Sequence, residues 1–320
     1  MDLFGHVSRD ERQEQCRVTW IKNKCKGVLV CPTGFGKTRT ALNCIQTVVT
    51  KRPGSRILIV VPTDVLQRQW ESELATRDLI FSCEVAIINT VVKHSWNCDM
   101  LVLDELHKYA ADTFSKVFEK VNYKMILGLT ATFERLDGKE QLIEKYCPVI
   151  DTISIQEALF NGWVSKYKEY LVLIDVDDID IYKQLNKDFT SHFEFFNFIF
   201  NLAMKMIGKD GYKYRIAYRD QLLPGNASIE SKSEMFKAIT IHAMGFMRAM
   251  QQRKVFINNH PKKIEIAREI INARPNSKII TFSNNIKMAE SIGIGETFSG
   301  KTSKKKGRTT MEEFNLKPIG

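Results

Sequence analysis

The sequence predicts an α/β protein built on a doubly wound, mostly parallel sheet, and two observations carry that expectation. Between Gly27 and Cys147, short runs of β-branched and aliphatic residues recur without polar alternation, as strands buried on both faces require. Several are separated by amphipathic stretches of helical period, and strand-helix alternation supplies the crossovers that parallel strands need.

The runs at 27–31, 56–61, 85–88, 100–103 and 125–129 read as buried strands, and 39–49, 65–75 and 113–120 as helices between them. After Ile150 the texture changes. Residues 167–176 read as one more strand, followed by a long helix over 179–206. Phe189, Phe193, Phe196 and Phe200 recur there at helical spacing, which fits a core-facing stripe better than a base-stacking surface. Gly208-Lys209-Asp210-Gly211 and Pro224-Gly225-Asn226 break the pattern, and a second helix is expected over 233–256, so 180–258 reads as a helical insertion. From His260 the α/β texture returns, with helices at 262–272 and 286–292 around a strand at 278–282. The expected organisation is residues 1–150, 151–258 and 259–320.

At 320 residues and 44% hydrophobic content the chain can build ordinary cores. Its longest apolar runs are strand-sized, short of the roughly 20 residues of a membrane helix. The first six residues carry no basic leader, and the seven cysteines form no Cys-x-x-Cys pair. Those features fit an intracellular, reducing location, cytoplasmic or nucleoid-associated. An excess of 47 Lys and Arg over 37 Asp and Glu gives a net charge of +10, which favours a polyanionic partner. The run Lys304-Lys305-Lys306, with Lys301 and Arg308, fits either phosphate contact or a solvated charged loop.

Three signatures carry chemistry. Pro32-Thr33-Gly34-Phe35-Gly36-Lys37-Thr38 follows an expected strand and opens an expected helix. Glycines there let backbone N–H groups close on phosphate oxygens at a helix N-terminus. Thr33, Gly34, Phe35 and Gly36 would form the cradle, Lys37 would reach the β- and γ-phosphates, and Thr38 would ligate Mg²⁺. The pair Asp104-Glu105 ends an apolar strand, where a doubly wound sheet presents catalytic groups. Asp104 is suited to hold Mg²⁺ through water and Glu105 to activate the attacking water. Thr130-Ala131-Thr132 ends the next apolar strand, where its hydroxyls could bond the acidic pair or simply cap a turn.

In this order the three signatures resemble those of superfamily 2 DExH-box helicases and translocases. The resemblance extends to Val61-Pro62-Thr63 with Leu66, Gln67 and Trp70, and to Ile88-Asn89-Thr90. It implies that Thr63, Arg68, Asn89 and Thr90 face a nucleic-acid backbone. Gln13, seven positions before Trp20, is placed like the family's adenine-recognising glutamine, and His107 like the residue linking nucleotide state to nucleic-acid binding. Residues 130–138, Thr-Ala-Thr-Phe-Glu-Arg-Leu-Asp-Gly, are similar to a run of the branch holding XPB-type and phage UvsW-type helicases. That similarity implies coupling roles for Thr130, Thr132, Arg135 and Asp137, with Leu136 in place of the branch's glutamate. Ile155 to Tyr170 resembles the branch's connector, and Ser283 and Asn284 lie in a segment similar to the first signature of a second motor domain.

The implied fold is a RecA-like P-loop domain, a helical insertion and a partial second RecA-like domain. The implied activity is ATP- and Mg²⁺-dependent movement on nucleic acid, DNA before RNA. The arginine-finger signature that should follow Phe314 is not found, so these residues are expected to bind ATP and hydrolyse it poorly, the remainder of the second motor domain being a possible partner. Two other readings stay open at this stage: a nucleotide-sensing regulator that binds nucleic acid without unwinding it, and a nucleotide-binding enzyme unrelated to nucleic acid. DNA against RNA, polarity, pathway and oligomeric state are not encoded in these motifs.

Overall fold

A computed structural model describes residues 6–111, 113–133, 140–175 and 177–316. The chain divides into two compact units, Met1–Glu169 and Tyr170–Gly320.

The first unit opens with α1 (Arg9–Lys22), started by a capping box in which Ser8 and Glu11 satisfy each other's backbone N–H groups. The chain continues through β1 (Lys26–Val30), α2 (Lys37–Lys51), β2 (Ile57–Val61), α3 (Asp64–Ala75), β3 (Cys83–Ile87), α4 (Ile88–Val91), β4 (Trp96–Asn97) and β5 (Met100–Asp104). After a 3₁₀ turn at Leu106–Ala110 come α5 (Val117–Lys120), β6 (Val121–Asn122), β7 (Met125–Thr130), α6 (Glu140–Glu144), β8 (Val149–Thr152) and α7 (Ile155–Phe160). The helix expected over 113–120 is confined to its last turn.

Six strands form one sheet in the order β3-β2-β5-β7-β1-β8, and every pairing in it is parallel. Successive residues point to opposite faces, so each strand feeds two cores. Leu29, Ile59, Val102 and Leu127 join Trp20, Leu42, Ile45 and Trp70 on one face. Val28, Val60, Leu103 and Ile126 join Leu106, Tyr109, Val117 and Ile143 on the other. This double burial explains the unbroken apolar runs.

The second unit contains α8 (Ile179–Glu194), α9 (Phe200–Ile207), α10 (Gly211–Leu222) and α11 (Ile229–Asn258). These helices enclose Phe196, Ala203, Met206, Tyr218, Ile239, Ala243 and Phe246. The single helix expected over 179–206 is two, because Asn197 and Phe198 take positive φ angles of 50° and 57° and turn the chain. Of the phenylalanine stripe, Phe196 is fully buried and Phe189 and Phe193 pack on this core, whereas Phe200 is 51% exposed.

α12 (Lys262–Asn272), α13 (Ile286–Ile292) and α14 (Lys304–Leu316) complete the unit, so the lysine run opens a helix. The strands expected at 167–176 and 278–282 are not formed among the described residues. Leu171 and Leu173 are 88% and 85% exposed, and Phe282 is 92% exposed. Strand propensity becomes a strand only when a neighbour completes the ladder, and neither segment has one here. No helix among the described residues is long and apolar enough to cross a membrane.

Candidate nucleotide site

Sheet order converts distant signatures into neighbours. β7 lies between β1 and β5, with Val30 paired to Thr130 and Asp104 to Leu129. The loop after β1, the Thr-Ala-Thr run and the acidic pair therefore leave the C-terminal edge side by side, where open α/β sheets bind ligands.

The loop after β1 turns on two glycines. Gly34 and Gly36 take φ angles of 90° and 101°, and Gly36 caps α2 in the left-handed region. A Cβ on Gly36 would lie 2.6 Å from Gln13 Nε2. Gln13 is 1% exposed and donates from Nε2 to the Phe35 carbonyl at 2.9 Å. Its Oε1 is buried without a hydrogen-bond partner, an acceptor that an exocyclic amine of adenine would satisfy. Lys37 Nζ donates to the Cys31 carbonyl at 3.5 Å, closing the loop on itself.

Asp104 is 5% exposed, its Oδ2 accepting from Trp70 Nε1 at 2.9 Å and its Oδ1 from the Glu105 amide at 3.0 Å. Burial pushes this carboxyl above the usual aspartate range and Glu105 adds to the effect, while Trp70, the Glu105 amide and Lys37 pull it back. Glu105 itself sits at φ 52°, a left-handed conformation that a carboxylate residue holds only under constraint.

His107 joins the acidic pair to the third signature. Its Nδ1 lies 3.0 Å from Thr130 Oγ1 and 3.5 Å from Glu105 Oε2. The Thr130 hydroxyl also donates to the Thr132 carbonyl at 2.6 Å. A continuous polar path thus runs from Glu105 through His107 and Thr130 to Thr132.

The remaining predicted residues are spread more widely. Thr63 caps α3, accepting from the Leu66 amide at 3.3 Å, and is exposed at the end of β2. Arg68 pairs with Asp64 at 2.9 Å on the surface of that helix. Asn89 and Thr90 are exposed on α4, directly after β3. Thr63, Asn89 and Thr90 therefore continue the C-terminal edge beyond β5. Ser283 and Asn284 belong to the second unit, where the Ser283 hydroxyl donates to the Asn285 carbonyl at 3.1 Å. Arg135 and Asp137 lie outside the described residues.

Sequence reasoning missed three groups around this site. Trp70 supports Asp104, although its place in the motif gave no hint of that bond. Tyr109 donates to the Val60 carbonyl at 2.8 Å and fixes the turn after the acidic pair. Arg12 reaches Asp151 at 2.7 Å and Glu157 at 3.0 Å, tying α1 to β8 and α7.

A parallel sheet that brings a glycine-rich loop, an acidic pair and a hydroxyl run to three adjacent strand ends has the architecture of a RecA-like P-loop domain. The sequence profile of the family described as "Type III restriction enzyme, res subunit" matches residues 7–93 and 80–135. The chain is 25% identical over 332 aligned residues to the "DNA 3'-5' translocase XPB2" of Sulfurisphaera tokodaii, covering 96% of this chain and 67% of that protein. It is 32% identical to "Putative helicase 109L" of Invertebrate iridescent virus 3, covering 45% of this chain and 50% of that one. The Pyrococcus furiosus Hef helicase domain aligns with a TM-score of 0.48 at 18% identity, over 97% of this chain and 85% of that one. The likeness to that family profile falls within residues 7–135, and both relatives carry the names of helicases or translocases. The chain spans about two thirds of the archaeal relative and half of the viral one.

Proposed function

We propose that this chain forms the nucleotide-binding side of an ATP- and Mg²⁺-dependent motor that acts on nucleic acid, with DNA as the substrate. The convergence of the phosphate loop, Asp104-Glu105 and Thr130 on three neighbouring strand ends carries the reading. Backbone amides after Thr33 and the N-terminus of α2 receive the phosphates, and Lys37 leaves the Cys31 carbonyl to pair with them. Gln13 reads adenine with its unsatisfied Oε1. Thr38 would ligate Mg²⁺ through its hydroxyl and Asp104 would hold it through water, and the ion would supply charge neutralisation at the phosphates.

Glu105 orients and deprotonates the attacking water, and His107 with Thr130 reports the nucleotide state toward Thr132. Thr63, Arg68, Asn89 and Thr90 contact the strand being tracked, and the exposed Arg68–Asp64 pair is weak enough to open for a phosphate. In the second unit, Ser283 and Asn284 are the proposed nucleic-acid contacts. The DNA preference is supported by the name of the archaeal relative, a DNA 3'-5' translocase.

An arginine finger contributes about 10³ to 10⁵ in rate, and no run in these 320 residues resembles one. The chain is therefore expected to bind Mg-ATP and turn it over slowly. ATPase rates measured with single-stranded DNA, duplex DNA and RNA test the proposal, alongside Glu105→Gln. Slow hydrolysis that DNA stimulates and Glu105→Gln abolishes, with Mg-ATP binding intact, is the expected result. Equal rates with and without nucleic acid would refute the motor reading, and rapid DNA-stimulated turnover would refute the slow half-site.

A further inference from the structure

Phe35, in the middle of the phosphate loop, is fully buried although Thr33 and Gly34 just before it are exposed. Two groups hold it. Gln13 bonds its carbonyl at 2.9 Å, and the indole of Trp163 meets its ring edge-on, with centroids 5.4 Å apart and planes at 61°. The next residue of the same segment, Val164, lies 3.5 Å from where a Cβ on Gly34 would be. Consecutive residues of the chain thus back consecutive residues of the loop.

Trp163 is itself fixed. It is 3% exposed, its indole N–H donates to the Val7 carbonyl at 3.0 Å, and its own amide donates to the Ala158 carbonyl at 2.9 Å. The Arg9 guanidinium donates to the Trp163 carbonyl, and Asn161 Oδ1 accepts from the Val7 amide at 3.0 Å. Arg12, adjacent to Gln13, holds Glu157 on α7. The segment before α1, α1 itself, the phosphate loop and residues 157–164 therefore form one closed ring of contacts. Six residues after Trp163 the first unit ends at Glu169.

We propose that Trp163 is a positioning residue of the phosphate loop. Its ring sets Phe35, and through it the loop backbone, in the shape that receives phosphate. The converse holds by reciprocity: a nucleotide that orders the loop also orders residues 158–164, the stretch from which the chain leaves the first unit. This inference rests on the ATP reading of the same loop.

Hydrogen exchange of the full 320-residue chain, with and without Mg-ADP, tests it in wild type and Lys37→Ala. Calorimetric Mg-ADP affinity is compared for wild type, Trp163→Phe and Trp163→Ala. The expected result is slower exchange at Gly162 and Trp163 on adding Mg-ADP to wild type, and no change in Lys37→Ala. Trp163→Ala should weaken Mg-ADP binding roughly two- to tenfold, the weight of one aromatic pair, and Trp163→Phe should restore most of it. Mg-ADP binding that leaves exchange at 158–164 unchanged overturns the inference while the ATP reading stands. So does a folded Trp163→Ala chain that binds as tightly as wild type. A wild-type chain that binds no adenine nucleotide overturns the ATP reading and this inference with it. The exchange comparison needs no Trp163 variant, so it decides the matter even if Trp163→Ala does not fold.

Discussion

Replacing Trp70 with Phe would remove the indole N–H that donates to Asp104 Oδ2 at 2.9 Å while keeping an aromatic ring in a site that is 1% exposed. A hydrogen bond to a charged acceptor contributes about 1.5–3 kcal/mol, and here the loss falls on the ionised carboxylate. Burial already raises Asp104, and Trp70 is one of the contacts that restrain the rise. The variant therefore moves Asp104 further upward. A raised carboxyl means the folded state binds its proton more tightly than the unfolded chain, so stability falls as pH rises through the folded value. The deficit of Trp70→Phe against wild type should be complete near neutral pH and shrink as the pH is lowered and Asp104 protonates. The smaller ring adds a packing loss that does not depend on pH. Urea unfolding followed by far-UV circular dichroism at neutral and mildly acid pH separates the two parts. A deficit of the same size at every pH would refute the assignment of Trp70 as the group that keeps Asp104 ionised.

Two further perturbations follow from the same neighbourhood. Gly36→Ala forces a Cβ to within 2.6 Å of Gln13 Nε2 at a φ of 101°. It should cost about 1–3 kcal/mol in strain and lower Mg-ADP affinity, read by thermal melting and calorimetry together. Arg12→Met leaves Asp151 and Glu157 without their cation, with side chains only 16% and 17% exposed, and should cost about 3–5 kcal/mol in urea unfolding. Adding Asp151→Asn should return much of that. Burial raises Asp151, but its bonds and charge interaction with Arg12 outweigh burial and hold it below the usual range. The pair's stabilisation is therefore present above the unfolded value and lost as pH falls through the folded one. An Arg12→Met chain as stable as wild type at neutral pH would contradict this account.

The local parts of the site were legible before the fold was known. Gly34 and Gly36 announce positive φ because only glycine enters that region freely, and both adopt it. The strand runs were legible because burial on two faces leaves no polar position. The 179–206 stretch shows the limit: its helical period is real, yet Asn197 and Phe198 break it, and neither residue type signals a left-handed turn as glycine would. Residues 167–176 and 278–282 carry full strand propensity, yet no strand forms there among the described residues, because a ladder is a property of two segments.

By itself the sequence determined where the glycine-rich loop lies and that β1, β2, β5 and β7 are buried, since both depend on residue type and on spacing within a few positions. Only the tertiary structure decided which loops meet. The order β3-β2-β5-β7-β1-β8 sets the loops after Val30, Asp104 and Thr130 side by side. Contacts such as Trp163 with Phe35, Arg12 with Asp151 and Trp70 with Asp104 join residues from 34 to 139 positions apart. No local period encodes such pairs. They exist because parallel strands must be joined by crossovers, and the crossovers carry distant side chains to the same edge of the sheet.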